Sequence, residues 1–233
     1  MVDSRNRPST EVVLQAVAAC LFRHVSPGQS VVVGFSGGLD SSVLLHAALS
    51  LATEAQLDLS AIHVHHALSG HADAWAESCV QLCRELGIPL AVLRVVVPRD
   101  TGDGLEAAAR DVRHRALASQ SADWILLAHH ADDQAETVLL NLLRGAGVRG
   151  TAAMPESRGR VLRPLLHVTR KELLEYARSN QLAWIEDESN ADTRHTRNYL
   201  RREILPVIES RFPQASRQLA AAEQASRNDT EEQ

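Results

Sequence analysis

Apolar segments of strand length alternate with segments of helical periodicity along most of this chain. We predict four strands, over residues 31–35, 59–68, 90–97 and 123–130. A helix is predicted after each strand, over residues 39–52, 72–87, 104–120 and 131–144, and Gly87 and Gly145 act as stop signals. This alternation predicts an α/β fold with a doubly wound, mostly parallel sheet, which binds ligands at the carboxyl ends of its strands.

The pattern changes after about residue 150. Residues 163–182 combine a short apolar segment with a helix that begins after Thr169, and residues 199–212 predict a helix that crosses Pro206. We therefore predict a nucleotide-binding unit, a small Arg-rich and mainly helical extension, and a frayed tail, which span residues 1–150, 151–217 and 218–233.

Charge is distributed unevenly between these parts. The whole chain has a net charge of −5, but its basic residues outnumber its acidic ones over residues 141–217. An acidic half followed by an Arg-rich half suits a partner with a phosphate backbone, although Arg content by itself does not identify one.

Composition limits the class of protein further. Hydrophobic residues make up 45% of the chain, but no segment approaches the ~18 consecutive apolar residues of a membrane span. The first residues lack the apolar centre of a secretion signal. Cys20, Cys79 and Cys83 form no metal-type pair, so we expect reduced thiols in a cytoplasmic protein.

The hexapeptide SGGLDS at residues 36–41 carries the most chemical information. It joins the first predicted strand to its helix, where free backbone N–H groups and the helix dipole favour a phosphate. We predict that the whole loop binds phosphate, with hydroxyl groups at both ends and no Cβ at its centre to block the anion. Its residues are Ser36, Gly37, Gly38, Leu39, Asp40 and Ser41.

The acid in this loop points to a cation. Asp40 would repel a phosphate unless a cation lies between them, so we predict Mg²⁺ with Asp40 as its protein ligand. Other nucleotide loops are excluded, because GxxxxGK[ST] and GxGxxG are absent and the chain's one Lys, Lys171, lies far from any Gly-rich turn.

Three further charged clusters are candidates for the site. One is the segment EDESNADTRHTRNYLRR, in which Arg194, Arg197, Arg201 and Arg202 follow four acids. Asp132, Asp133 and Glu136 follow His129 and His130 where the fourth strand ends, which suits a cation or an amine but also simple helix capping. The helix over 104–120 carries Glu106, Arg110 and Arg113 at helical spacing, a pattern that by itself also fits surface ion pairs.

The histidines do not predict a zinc site. Those at positions 63, 65, 66, 71, 129 and 130 have no set of cysteines beside them. His63 and His65 alternate with His66 along a strand, which places them on opposite faces. We predict packed or hydrogen-bonded histidines.

The loop resembles the pyrophosphate loop of ATP pyrophosphatases, which split ATP between its α and β phosphates. Over about residues 28–210 the chain resembles the tRNA(Ile)-lysidine synthase family. The segments that carry the resemblance are SGGLDSS, IHVHHALS, LGIPL, GLEAAARDVRHRAL, AHHADDQAETVLLNLLRGAGVRGTAAM, RPLL, RKELLEYA and EDESNADTRHTRNYLRREILP. It implies five parallel strands followed by a small helical domain.

The resemblance also implies a reaction and its partners. With ATP and L-lysine as substrates, the wobble cytidine of isoleucine tRNA with a CAU anticodon becomes lysidine, and the tRNA then reads AUA instead of AUG. No membrane partner is expected, and the oligomeric state stays open, with a homodimer as one option.

Roles for the candidate residues follow from the resemblance. Asp133 and Glu136 would hold lysine with help from Asp132, although the sequence does not separate the two aspartates. Arg110 and Arg113 would neutralise the α-phosphate, and Glu106 would orient Arg110. Two departures stand out: Arg113-His114 replaces the usual Arg-Tyr pair, and many members continue beyond the length of this chain.

Two alternatives remain open. Another adenylating enzyme with this loop, such as a tRNA thiolase or an amidotransferase-linked synthetase, is disfavoured because the three cysteines look poorly placed for thiolation. A non-catalytic nucleotide- or tRNA-binding module is disfavoured because all the acids of the loop and of the second cluster are present.

Overall fold

A six-stranded sheet forms the centre of the computed structural model, which describes residues 8–98, 105–146, 154–186 and 196–221. The strands are β1 (Ser30–Gly34), β2 (Asp58–His65), β3 (Leu90–Arg94), β4 (Trp124–Leu126), β5 (Ser157–Arg158) and β6 (Val161–Leu162). Their order is β3-β2-β1-β4-β6-β5, and every pair is parallel except β5 with β6. The five parallel strands implied by the resemblance are therefore present.

Helices cover the sheet. They are α1 (Ser9–His24), α2 (Leu39–Ala52), α3 (Ala72–Glu85), α4 (Leu105–Ala118), α5 (Ala131–Leu143), α6 (Arg170–Ser179), α7 (Thr196–Tyr199), a π-helical turn (Leu200–Ile204) and α8 (Leu205–Arg211). Residues 215–221 are also helical. Within the described ranges, no helix combines the length and the apolar character that crossing a membrane requires.

The predicted helices of the nucleotide-binding half are confirmed. Three of them begin at the predicted residues, and Gly87 and Gly145 follow α3 and α5 with φ of +69° and +78°, as stop signals require. Thr169 caps α6 through a capping box with Glu172, whose backbone N–H donates to the Thr169 hydroxyl. The helix across Pro206 is present and contains the π-helical turn just before the proline.

All four predicted strands are too long at their carboxyl ends, by one to four residues. The segment 123–130, for example, contributes only Trp124–Leu126 to the sheet. Leu127 still donates its N–H to the Leu162 carbonyl at 2.9 Å before the chain leaves the ladder. An apolar run does not mark the point where pairing stops, because Leu127 and Ala128, which follow the last paired residue, are apolar or small as well.

Helix α1 was not predicted from the sequence. Its buried side chains, Val13, Val17, Cys20 and Leu21, follow a helical spacing on one face. This face packs against α2 and α6, so α1 completes the layer on that side of the sheet.

Both faces of the sheet are buried, which confirms the doubly wound prediction. Val31 and Val33 of β1 pack in the core cluster that contains α1, α2 and α6, whereas Val32 packs on the other face with Leu117 of α4. The chain runs from β1 outward through β2 to β3 and then returns to β4 on the opposite side of β1. This reversal places a crevice at the carboxyl ends of β1 and β4.

Strands from beyond residue 150 join the same sheet. β6 extends it next to β4, and α6 packs against α1 and α2. A strand of two residues has too little periodicity to be recognised in a sequence. The sheet is thus built from both predicted units, and the division of the chain into domains stays a prediction.

Candidate active site

The predicted phosphate loop lies between β1 and α2. Gly38 caps α2 with no side-chain hydrogen bond, so the first N–H groups of the helix are not taken up by a capping side chain. The hydroxyls of Ser36 and Ser41 lie 3.0 Å apart, and Ser41 Oγ donates to the Gly38 carbonyl at 3.0 Å. These bonds hold the loop in a defined shape around its backbone donors.

Position 37 of the loop requires glycine. Its φ is +84°, and a Cβ built there would lie 2.7 Å from Ile185 Cδ1 and 2.8 Å from Cys79 Sγ. The Ile185 N–H also donates to the Gly37 carbonyl at 2.8 Å. The backbone of the loop is therefore packed tightly from behind by α3 and by the segment that contains Ile185.

His130 connects this loop with Asp132, Asp133 and Glu136, which we call the acidic cluster. It is fully buried at the start of α5, and its Nε2 lies 3.6 Å from Asp40 Oδ2 and 3.5 Å from Asp133 Oδ2. Its Nδ1 lies 3.4 Å from Asp132 Oδ2. Burial by itself would lower the pKa of His130, but the three carboxylates, led by Asp133, raise the pKa to about 10. His130 is thus a buried cation among three acids.

Asp40 has a second cationic partner. The Arg170 side chain donates from Nη1 to Asp40 Oδ1 at 3.1 Å, although the two residues lie 130 positions apart. The backbone N–H of Arg170 donates to Asp132 Oδ2 at 2.8 Å. Arg170, the first residue of α6, therefore bridges the phosphate loop and the acidic cluster. No sequence pattern predicted a residue in this role.

Arg201 closes the other side of the cluster. Its Nη2 donates to Asp133 Oδ1 at 2.8 Å, and its Nε donates to Glu136 Oε1. Glu136 is fully buried, and its Oε2 has no hydrogen-bond partner among the described residues. Burial raises the pKa of Glu136, while the charge of Arg201 opposes the rise.

Arg201 belongs to the π-helical turn, a feature often found at functional sites. The sequence showed it only as one of several arginines after an acidic segment. Part of that segment, including Arg194, lies outside the described residues.

The positive and negative side chains that contact one another around His130 nearly balance in charge. Among the ion pairs of the described residues given above, four carboxylates, from Asp40, Asp132, Asp133 and Glu136, meet three cations, from His130, Arg170 and Arg201. When all seven groups are charged, one negative charge is left over. A site of this kind favours one additional cation, such as an ammonium group.

The predicted arginines of α4 lie toward the same edge of the sheet. Arg113 Nε donates to His66 Nε2 at 3.3 Å, just beyond the carboxyl end of β2. Burial lowers the pKa of His129 to about 4, and the charges of Arg163 and Arg110 add to this effect while Asp133 opposes it. His129 is therefore neutral beside the cationic His130. The side chain of Glu106 lies outside the described residues.

Two expectations about histidine and cysteine have different outcomes. His63 lies 3.0 Å from the Phe35 carbonyl through Nδ1, and His65 lies 3.1 Å from Asp73 Oδ1 through Nε2, so the hydrogen-bonded interpretation is confirmed for both. The three cysteines are expected to be poorly placed for thiolation; the Cys79 sulfur nevertheless packs behind Gly37 of the loop. Burial, followed by the neighbouring Cys83, raises the pKa of Cys79 to about 12, which keeps this thiol protonated.

The protein family described as the PP-loop domain matches residues 10–208. The chain belongs to this family. Membership implies the use of ATP, in agreement with the uncapped helix N-terminus and the crowded glycine.

Curated relatives named tRNA(Ile)-lysidine synthase confirm the resemblance found in the sequence. The protein of Alkalilimnicola ehrlichii is 52% identical over 216 residues, which cover 88% of this chain and 48% of the relative. That of Pseudomonas aeruginosa is 55% identical over 190 residues, which cover 78% of this chain and 42% of the relative. The chain thus spans about half the length of the curated relatives it matches.

Solved structures share the fold at low identity. The U34-tRNA thiolase NcsA from Methanococcus maripaludis, solved with its 4Fe–4S cluster, has a TM-score of 0.77 at 19% identity, with 94% of this chain and 80% of that chain covered. The NH3-dependent NAD synthetase from Campylobacter jejuni has a TM-score of 0.53 at 15% identity, with 94% and 95% covered. At these identities the similarity shows the fold alone.

Proposed function

We propose that this chain carries out the ATP- and lysine-dependent chemistry of a tRNA(Ile)-lysidine synthase. The names of its relatives support this assignment. The observation that carries it is the buried His130, which brings Asp40 of the phosphate loop and Asp133 of the acidic cluster to within 3.6 Å and 3.5 Å of one imidazole. A phosphate site and an amine site that share one residue suit a reaction that adenylates one substrate and joins it to an amine.

ATP would bind across the carboxyl end of β1. The N–H groups around Ser36 to Ser41 are suited to the β and γ phosphates, since the first turn of α2 has no side-chain cap. Within the loop, the Ser36 and Gly38 N–H groups donate to serine hydroxyls, which ATP would replace as acceptors. Asp40 is partly exposed beside the loop, which fits a carboxylate ligand of Mg²⁺. Bound Mg²⁺ would neutralise phosphate oxygens. Arg170 shares the Asp40 carboxylate and is suited to a phosphate contact as well.

The reaction then has two displacements. O2 of the wobble cytidine, at position 34, attacks the α-phosphorus, and pyrophosphate leaves with its charge stabilised by the loop. The adenylated oxygen is a good leaving group. The lysine ε-amine attacks C2, AMP departs, and a carboxylate of the acidic cluster takes the proton that the amine loses.

Lysine would bind at Asp133 and Glu136, with Asp132 assisting. The unpartnered Oε2 of Glu136 is suited to accept from an ammonium group, because a buried carboxylate oxygen without a donor is energetically costly. The excess negative charge of the cluster supports the same assignment. Arg201 already contacts both acids, so we propose that it orients them for the substrate.

The nucleic acid would approach the same edge of the sheet. Arg110 and Arg113 of α4 are proposed to neutralise the α-phosphate, and Arg113 already lies at the carboxyl end of β2. The partner would be isoleucine tRNA with a CAU anticodon, in the cytoplasm, where tRNA is modified. A homodimer remains one option for the oligomeric state.

Reaction products test the proposed chemistry. With ATP, L-lysine and unmodified isoleucine tRNA, we expect AMP and pyrophosphate in equal amounts and no ADP, because attack at the α-phosphorus leaves the β–γ bond intact. The measurement separates labelled nucleotides while each substrate is omitted in turn. Pyrophosphate release should require the tRNA, and lysidine should require lysine as well.

Other products would support the alternatives. ADP as the main product would contradict α-phosphorus attack, and unreacted ATP in the presence of bound tRNA would favour a non-catalytic module. Release of AMP with sulfur transfer instead of lysine transfer would favour a thiolase, although the buried, protonated Cys79 disfavours that outcome.

Glu136→Gln tests the position of lysine. We expect the apparent KM for lysine to rise by about 10-fold or more and that for ATP to stay nearly unchanged, because a hydrogen bond to a charged group contributes about 1.5–3 kcal/mol. Steady-state pyrophosphate release at varied lysine and ATP measures both constants. Glu85→Gln, which removes an acid from the exposed face of α3, is the matched control.

Arg113→Ala should show the opposite pattern, with slower adenylation and a nearly unchanged dependence on lysine. A Glu136→Gln enzyme with a normal KM for lysine but impaired adenylation would contradict the proposed lysine site. It would indicate that the acidic cluster acts at the phosphates of ATP and that lysine binds at another site.

A further inference from the structure

A second cluster of reactive side chains lies outside the proposed active site. Cys20 and His24 are four residues apart on α1 and therefore project from the same helix face. Glu156, which immediately precedes β5, meets them from the edge of the sheet. A sulfur, a ring nitrogen and a carboxylate oxygen from the three residues all lie within 4.8 Å of one another. None of these residues has a role in the proposed reaction.

The three groups are ligands that Zn²⁺ commonly takes in proteins. Metal–ligand bonds of about 2.0–2.3 Å in a tetrahedral site place ligand atoms about 3.3–3.7 Å apart. His24 Nε2 and Glu156 Oε1 are already 3.2 Å apart. The remaining separations require changes of about 1 Å, which side-chain rotation about χ angles supplies.

Burial and exposure suit a site with one open position. Cys20 is 2% exposed, so its sulfur faces the protein interior. About a quarter of each of the His24 and Glu156 side chains is exposed, which leaves a path for an ion and for one water ligand. Three protein ligands with water in the fourth position are an established coordination of Zn²⁺ in proteins.

The local charge is compatible with a divalent cation. On binding, the Cys20 thiol would release its proton to solvent, and the resulting thiolate, a carboxylate and a neutral imidazole would together balance the two charges of the ion. Arg23 Nη1 contacts Glu156 Oε1 at 3.0 Å, but its side chain is 61% exposed and can turn toward solvent. Such an exposed ion pair contributes little and does not compete strongly with metal binding.

We propose that Cys20, His24 and Glu156 form a binding site for a divalent transition metal of the Zn²⁺ class. The ion would link the last turns of α1 to the β5 edge of the sheet. These two segments lie more than 130 residues apart in the sequence. Its consequence for the fold is a metal-dependent stabilisation of the α1 layer.

Co²⁺ is the probe that tests this site. It replaces Zn²⁺, and its absorption spectrum depends on the ligands that coordinate it. In untagged, metal-free full chain, we expect a thiolate-to-Co²⁺ charge-transfer band that saturates at one ion per chain and disappears when Zn²⁺ is added. Zn²⁺ should also raise the Tm. Trp124 lies 6.1 Å from the His24 ring, so bound Co²⁺ should quench its emission, and Trp124→Phe should remove most of that quenching.

Variants separate this site from other metal binding by the chain. Cys20→Ser should abolish the charge-transfer band, whereas Cys83→Ser, which changes another buried cysteine, should retain it. His24→Ala and Glu156→Gln should each weaken Co²⁺ binding about 10-fold or more. Both side chains are partly exposed, so these two variants test the site even if Cys20→Ser fails to fold.

Two results would overturn the proposal. One is a folded wild-type chain that shows no thiolate band at Co²⁺ concentrations that saturate ordinary protein sites. The other is a band that survives in His24→Ala and Glu156→Gln with unchanged affinity, which would assign the thiolate contact to another cysteine.

Discussion

Gly37→Ala is expected to lower ATP-dependent pyrophosphate release by about 100-fold or more, the scale of losing a main backbone contact to a developing charge. The new Cβ would lie 2.7 Å from Ile185 Cδ1 and 2.8 Å from Cys79 Sγ, closer than such atoms approach in proteins. The partly exposed Ile185 side chain can turn away, but the Cys79 sulfur is buried and has little room to move, so we expect the loop to shift from its position. Steady-state release at saturating lysine and tRNA measures the effect.

Gly28→Ala is the matched control for this substitution. Gly28 has a φ of +80°, almost the same as the +84° of Gly37, but a Cβ there would meet nothing within 4 Å. Both substitutions place alanine in the left-handed region, which costs about 1–2 kcal/mol of stability. Only Gly37→Ala adds crowding behind the loop. We therefore expect Gly28→Ala to be somewhat less stable and still active.

Equal losses of activity in the two variants would contradict this account. They would mean that backbone strain, and not the packing of Ile185 and Cys79 against the loop, decides the effect. A fully active Gly37→Ala enzyme would remove the loop from the binding of ATP altogether.

His130→Gln is expected to cost about 3 kcal/mol or more of unfolding free energy, measured by urea denaturation at pH 6.5. The substitution removes a fully buried cation that lies within 3.6 Å of each of three carboxylates. Removing one member of a buried ion pair is strongly destabilising, because the remaining charges lose their compensation. ATP-dependent activity should fall as well, because Asp40 loses one of its two cationic neighbours.

The same residue predicts a pH dependence of stability. The pKa of His130 is raised to about 10 in the folded chain, whereas an unfolded histidine has a pKa of about 6.5. Its stabilisation is therefore complete below pH 6.5 and is lost progressively as the pH rises toward 10. Between pH 6.5 and 8.5 the contribution of His130 should fall by on the order of 2 kcal/mol, so the stability difference between the wild-type chain and His130→Gln should shrink by about that amount.

The adjacent histidine provides the control. His129→Gln replaces a side chain whose pKa is lowered to about 4 and which is therefore neutral throughout this range. Because His129 takes up a proton near pH 6.5 only in the unfolded chain, His129→Gln should follow the pH dependence of the wild-type chain to within about 0.5 kcal/mol. A stability difference between the wild-type chain and His130→Gln that stays constant from pH 6.5 to 8.5 would mean that His130 is neutral and that the three acids are compensated elsewhere.

Local patterns predicted the nucleotide-binding half well. The start of α2 at Leu39 and of α5 at Ala131 follows from the change between strand and helix periodicity, together with Gly and capping residues. The phosphate loop was recognisable because it needs adjacent residues only: two glycines, two serines and one aspartate between a strand and a helix.

Weak or short patterns were not recognised. The two residues of β6 carry no periodicity, and their place beside β4 depends on pairing with a strand far away in the chain. Predicted strands were too long because apolar character continues past the last paired residue, as it does after Leu126. Pairing is a tertiary event, and the side chains alone do not mark where it stops.

Local sequence patterns were sufficient to predict the alternation of strands and helices from β1 to α5 and the loop between β1 and α2, because these features depend on neighbouring residues. The partners in the site depend instead on tertiary packing. The contact of Arg170 with Asp40 spans 130 positions, and that of Arg201 with Asp133 spans 68. These contacts arise where α6 and the π-helical turn pack over the carboxyl ends of the strands. The charge of His130 has the same origin, since a histidine becomes a buried cation only where folding surrounds it with acids.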